Sequence, residues 1–117
     1  MIPVSPATRF FLYNQPTDMR KSFDGLHGLV EHHLAMNPFS GNVYIFINRR
    51  RDRMKLLVWD RTGFWLLYKR LEKGRFQPLF TSKDKAIEMP YDSLIMLLEG
   101  IDLTAIKRRK RYALSVV

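Results

Sequence analysis

Residues 43–71 read VYIFINRRRDRMKLLVWDRTGFWLLYKRL, and the spacing within this stretch decides which folds are open to the chain. Three runs, 43–48, 54–60 and 64–71, are rich in branched and aromatic residues and are separated by two short polar joints. Such side chains suit a pleated, half-buried surface, so each run reads as a strand. The first joint is Arg49-Arg50-Arg51-Asp52-Arg53, and the second is Asp60-Arg61-Thr62-Gly63, where Gly63 is available for a positive φ. A parallel crossover takes a dozen or more residues, so joints this short imply antiparallel neighbours and a three-stranded meander.

Both alternations of these strands are largely apolar. Val43, Ile45 and Ile47 oppose Tyr44 and Phe46; Leu57 and Trp59 oppose Met54, Leu56 and Val58; Phe64, Leu66 and Tyr68 oppose Trp65, Leu67 and Leu71. One helix layer cannot cover both faces of such a sheet. Either the N-terminal strand and a C-terminal helix wrap the second face, or a partner does, whether a second copy of the chain or another protein.

Working outward, residues 9–13 (RFFLY) form a short aromatic strand stopped by Asn14-Gln15-Pro16. Thr17, Asp18 or Ser22 can cap a following helix, and Phe23, Leu26, Leu29, Val30 and Leu34 recur at steps of three and four, predicting an amphipathic helix over about 20–36 that Asn37-Pro38 ends. Residues 76–89 read as an irregular loop or short hairpin. Pro90 and Asp92 then open a short helix whose buried stripe is Tyr91, Leu94, Ile95, Leu97 and Leu98, ending at Gly100. The expected fold is α+β: an antiparallel meander sheet of three to five strands with an N-terminal helix and a short C-terminal helix. With 117 residues the chain makes one domain, over 1–106, followed by a basic tail at 107–117.

There is no cysteine, which excludes disulfides, thiolate metal sites and cysteine nucleophiles. No segment approaches 18 uninterrupted apolar residues, and Pro3 and Pro6 interrupt the start, so neither a membrane span nor a leader is expected and the location reads as cytoplasmic. A net charge of +9 favours polyanionic partners, nucleic acid first. The charge is clustered: Arg49, Arg50, Arg51, Arg53, Lys55 and Arg61 lie in or beside the meander turns, Lys69, Arg70, Lys73 and Arg75 at its exit, and Lys107, Arg108, Arg109, Lys110 and Arg111 in the tail. These cations are the candidate nucleic-acid contacts, with Trp59, Trp65, Tyr68 or Phe76 available to stack on bases. Whether the first two clusters share an edge depends on strand register, which the sequence leaves open.

Catalytic and metal readings find little material. His27, Glu31, His32 and His33 lack the H-E-x-x-H spacing that brings two imidazoles and a base to one ion, and His27 with Glu31 is an ordinary one-turn pair. A nuclease needs two or three acids converging on divalent cations. Here Asp18 and Asp24 sit near a helix start, Asp52 follows three arginines, Asp60 opens a turn, and Glu72 lies between Arg70 and Lys73. No catalytic residue, metal ligand or cofactor is assigned.

Several ordered motifs carry a resemblance. Thr17-Asp18-Met19-Arg20-Lys21 with Phe23-Asp24-Gly25-Leu26, then Pro38-Phe39-Ser40-Gly41, Arg49-Arg50 through Lys55 to Trp59-Asp60, Gly63-Phe64, and residues 69–76 (KRLEKGRF) resemble the small accessory protein encoded by the second reading frame of the insertion-sequence-sixty-six transposon family. Residues 97–102 (LLEGID) look like that family's C-terminal signature. Ser22 departs from the family's frequent Gly, and residues 77–95 match poorly. The resemblance implies a non-catalytic protein that a bacterial mobile element carries beside its transposase and that assists transposition; the acids that cut and join DNA belong to the transposase. Two functional classes follow: a DNA-binding factor of the transposition complex, or a module that docks on the transposase through the two-sided apolar sheet without touching DNA. A nucleic-acid-cleaving enzyme is a remote third.

Overall fold

The computed structural model describes residues 5–77 and 83–100. The basic run 107–111, and with it the proposed tail, lies outside them. Strands β1 (Phe10–Tyr13), β2 (Val43–Ile47), β3 (Arg53–Trp59), β4 (Phe64–Arg70) and β5 (Ala86–Met89) form one sheet in the order β4-β3-β2-β1-β5. The meander holds: β2 pairs antiparallel with β3, and β3 with β4. The sheet as a whole is mixed, which corrects the antiparallel expectation. β1 runs parallel to β2, Phe10 beside Val43, and is joined to it through the helix, while β5 pairs antiparallel on its other side. The first strand therefore precedes the N-terminal helix and sits inside the sheet, a β-α-β unit whose long crossover makes the parallel pairing possible.

β5 falls within the stretch read as irregular. Its four residues, Ala86-Ile87-Glu88-Met89, give too short an alternation to stand out, and the pairing with β1 holds them. Arg9 adds a bridge to Glu88 at 2.7 Å, which lowers the Glu88 carboxyl below its ordinary range.

The predicted long helix is shorter and irregular. Helix α1 covers Phe23–Gly28 and passes into a π-helical turn at Leu29–His33. The wider winding shows in the Leu34 N–H, which reaches the Leu29 carbonyl at 3.0 Å, and in the Met36 N–H, which reaches Val30. Ala35, at φ 52°, ends it in the left-handed region. Leu26, Leu29, Val30 and Leu34 are buried as the periodicity requires, whereas Phe23 is 44% exposed and drops out of the stripe.

Two hydrophobic clusters occupy the two faces of the sheet. On one, α1 and the π turn pack Leu26, Leu29, Val30 and Leu34 against Phe11, Tyr13, Tyr44, Phe46 and Leu57. On the other, Leu94 and Leu97 of helix α2 (Tyr91–Leu98), together with Phe76, close over Phe10, Leu12, Ile45, Ile47, Met54, Leu56 and Val58. The C-terminal helix covers the second face as one of the two routes required, but Phe76 takes the part expected of the N-terminal strand, which lies within the sheet, and β4 stays half-exposed. The apolar surface left exposed includes the edge strand β4, with Trp65 and Tyr68, and Tyr91 and Ile95 of α2, two positions expected in its buried stripe. Among the described residues no helix is long and apolar enough to cross a membrane.

Candidate nucleic-acid interface

The turn between β2 and β3 is built on Asn48. Its side-chain carbonyl accepts from the Asp52 and Arg53 N–H groups, both at 3.0 Å, and its amide donates to Asp52 Oδ1 at 2.7 Å. That bond lowers the Asp52 carboxyl below its ordinary value. The Arg51 N–H closes the turn on the Asn48 carbonyl, and Arg51 itself sits at φ 61°, the left-handed conformation an ordinary side chain seldom adopts. The arginines are therefore presented by a loop held by side-chain and backbone hydrogen bonds. Arg49, Arg50 and Arg53 are exposed and Arg51 is half-buried.

Register decides where the second cluster lies. Arg53 of β3 stands opposite Arg70 of β4, and Met54 opposite Lys69, so the end of β4 returns to the arginine turn. Two backbone bonds clamp the following loop there: the Leu71 N–H donates to the Asp52 carbonyl at 2.8 Å and the Phe76 N–H to the Arg51 carbonyl at 2.6 Å. Phe76 is fully buried, anchoring the loop, while Lys73 and Arg75 are exposed between the two clamps. The end of α2 seats on the same loop, since a Cβ on Gly100, at φ 74°, would meet the Arg75 carbonyl at 3.3 Å. Arg61, in the other turn, lies at the far end of the hairpin.

A third segment joins this end. The Thr17 N–H donates to the Ile47 carbonyl at 2.8 Å, and residues 16–19 face Asn48, Arg49, Arg50, Asp52 and Arg53 across an open cleft of about 510 Å³. Arg20 holds Asp18 at 2.6 Å and, with its own N–H, lowers that carboxyl to about 2.

Besides Arg53, whose guanidinium donates to the Tyr68 hydroxyl at 3.3 Å, three further predicted contacts have local partners among the described residues. Lys55 is buried, its ammonium donating to the Met19 and Lys21 carbonyls at 2.8 and 2.7 Å; the alternation of β3 points it beneath the segment before α1. Lys55, placed among the candidate nucleic-acid contacts from its position beside the turn, is thus turned inward rather than to solvent. Lys69 donates to the Leu98 carbonyl at 2.7 Å, where a cation complements the last turn of α2. Arg70 pairs with Glu72 at 2.7 Å, an exposed bridge of small energetic weight. Sequence reasoning overlooked Asn48 as the hub; the only signal was an Asn four residues before an Asp around a tight turn.

The far end of the hairpin contrasts with this one. Phe39, Trp59 and Phe64 lie with ring centroids 5.0–5.4 Å apart, and His27 packs on Phe39 and Phe64. Asp60 organises the turn by accepting from the Thr62 and Gly63 N–H groups and from the Trp65 indole at 2.6 Å, and these bonds lower its carboxyl. The left-handed residue there is Arg61, at φ 84°, rather than Gly63. Among the described residues no three His, Asp or Glu side chains gather to hold a metal ion.

Residues 8–108 match a family model described as IS66 Orf2-like protein. The chain is similar to two proteins of Sinorhizobium fredii whose names mark them as uncharacterized. One, y4jC, is 36% identical over 93% of this chain and 92% of its own; the other, y4hO, is 35% identical over 87% and 88%. No solved structure matches at a significant level.

Proposed function

The chain belongs to the IS66 Orf2-like family, and on that premise we propose that it is a non-catalytic accessory protein of DNA transposition that grips the nucleic-acid backbone with the basic end of its sheet and assists the transposase of the same element. The supporting observation is the convergence of two clusters separated in sequence: Arg49, Arg50, Arg51 and Arg53 on one hydrogen-bonded turn, with Lys73 and Arg75 clamped beside it through the Asp52 and Arg51 carbonyls. Phosphates are bound by cations held where the backbone can reach several at once, and a loop already ordered loses little freedom on binding. Lys107, Arg108, Arg109, Lys110 and Arg111 extend the same chemistry. The carboxylates within reach already have local uses, Asp18 with Arg20, Asp52 with Asn48 and Glu72 with Arg70, which suits a role without catalysis.

A salt titration of binding to duplex DNA tests this reading. Neutralising about five to eight phosphates gives a slope of log K against log salt of roughly −4.5 to −7. A slope near zero, or no binding at low salt, removes the backbone contact. Pull-down of the neighbouring transposase with and without the element's terminal DNA tests the partnership: retention that requires DNA supports the reading, and retention independent of DNA favours a protein-docking role.

A further inference from the structure

We infer that Tyr68 is a stacking platform for an unpaired nucleobase, so that the basic end of the sheet takes single-stranded nucleic acid in preference to a closed duplex. This rests on the nucleic-acid reading above and specifies its ligand.

Tyr68 lies on β4, an edge strand, and is 53% exposed. It belongs to neither hydrophobic cluster, so packing of the core does not explain it. Cations surround and fix it instead. Lys55 stands directly opposite in the ladder and its ammonium lies 4.8 Å from the ring centroid, held there by the Met19 and Lys21 carbonyls. The hydroxyl accepts from Arg53 Nη1 at 3.3 Å, and Arg70, two residues along the strand, stands opposite Arg53. A ring held by an ammonium over its face and a guanidinium at its hydroxyl is pre-set in orientation, and its exposed part lies on the strand that leads into the basic end, beside Arg53 and the Arg70–Glu72 pair.

Aromatic rings between backbone-holding cations are the arrangement that binds single strands, because every base has a π-face and a single strand exposes it. In a duplex those faces are stacked inside the helix. Trp65, also exposed, does not share this role: it points to the opposite face of β4 and its indole is held by Asp60.

The test measures fluorescence anisotropy of the full chain with short labelled oligonucleotides of single-stranded DNA, single-stranded RNA and a duplex of the same sequence, for the wild type, Tyr68→Ala, Tyr68→Leu and Tyr68→Phe. Tighter binding of either single strand than of duplex is expected, and the preferred strand identifies the natural ligand as DNA or RNA. Tyr68→Ala and Tyr68→Leu should lose about tenfold on the single strand with duplex affinity unchanged, while Tyr68→Phe keeps the wild-type value. Tyr68→Leu keeps an apolar residue in the strand, so a loss shared by both variants at unchanged melting temperature is a loss of the ring. Full single-strand affinity in these variants, or equal losses on single strand and duplex, overturns the stacking role and leaves the phosphate contacts standing. Absence of binding to any of the three nucleic acids by the wild type overturns both readings.

Discussion

The two ends of the β3–β4 hairpin are built by the same device and put to opposite uses. At each, one polar side chain organises the turn, Asn48 at one and Asp60 at the other, and each turn has an arginine at positive φ, Arg51 and Arg61. At the Asp60 end the space is filled by Phe39, Trp59, Phe64 and His27, and Arg61 is the cation of the turn itself. At the Asn48 end a second loop is clamped on through backbone bonds, and arginines and lysines from two segments lie at the same end of the sheet. Ring-to-ring packing of part-buried aromatics, with Phe39 47% exposed, holds one end, whereas the other keeps its cations in water and relies on backbone hydrogen bonds and one buried anchor, Phe76.

Three experiments on variants sharpen this contrast. The largest effect is expected from Phe76→Ala. The ring is fully buried and packs under α2, so its loss should cost about 3 to 5 kcal/mol in denaturant unfolding and release the loop that carries Lys73 and Arg75. An unchanged midpoint would mean that the two backbone clamps suffice alone.

Next comes the joint replacement of Arg49, Arg50 and Arg51 by Ala, set against Arg61→Ala. The triple variant should weaken DNA binding on the order of a hundredfold at physiological salt and make the salt slope shallower by about 2 to 3, while Arg61→Ala leaves both near wild type. The comparison breaks if Arg61→Ala matters as much, since the cations would then act through the field of the whole molecule. The triple change should also exceed deletion of residues 107–117.

The smallest effect is expected from Lys55→Met. It leaves the Met19 and Lys21 carbonyls without their buried donor, so stability should fall by about 1 to 3 kcal/mol, yet the salt slope should not move because no phosphate contact is lost. A shallower slope would return Lys55 to the binding surface.

The sequence by itself determined the meander, the two turns, the short C-terminal helix and the buried stripe from Leu26 to Leu34 along α1 and the π turn that follows it. These rest on local periodicity and on joints too short for any other connection, so they could be read from neighbours in the chain. It also showed where the charge sits along the chain and, through its ordered motifs, the family. Tertiary structure decided the rest. The placement of β1 inside the sheet and parallel to β2, the recruitment of residues 86–89 as β5, and the closure of the second face by Phe76 and α2 all depend on pairings between distant segments, whose free energy comes from burial that no local pattern records. The basic end shows the same division. Arg49 and Lys73 carry one charge each wherever they lie, but the register that sets Arg53 opposite Arg70 makes one surface of two clusters. The direction of a single side chain in β3 turns Lys55 from a phosphate contact into a buried donor, because an ammonium beneath two backbone carbonyls is held there by hydrogen bonds that exist only once the chain has folded.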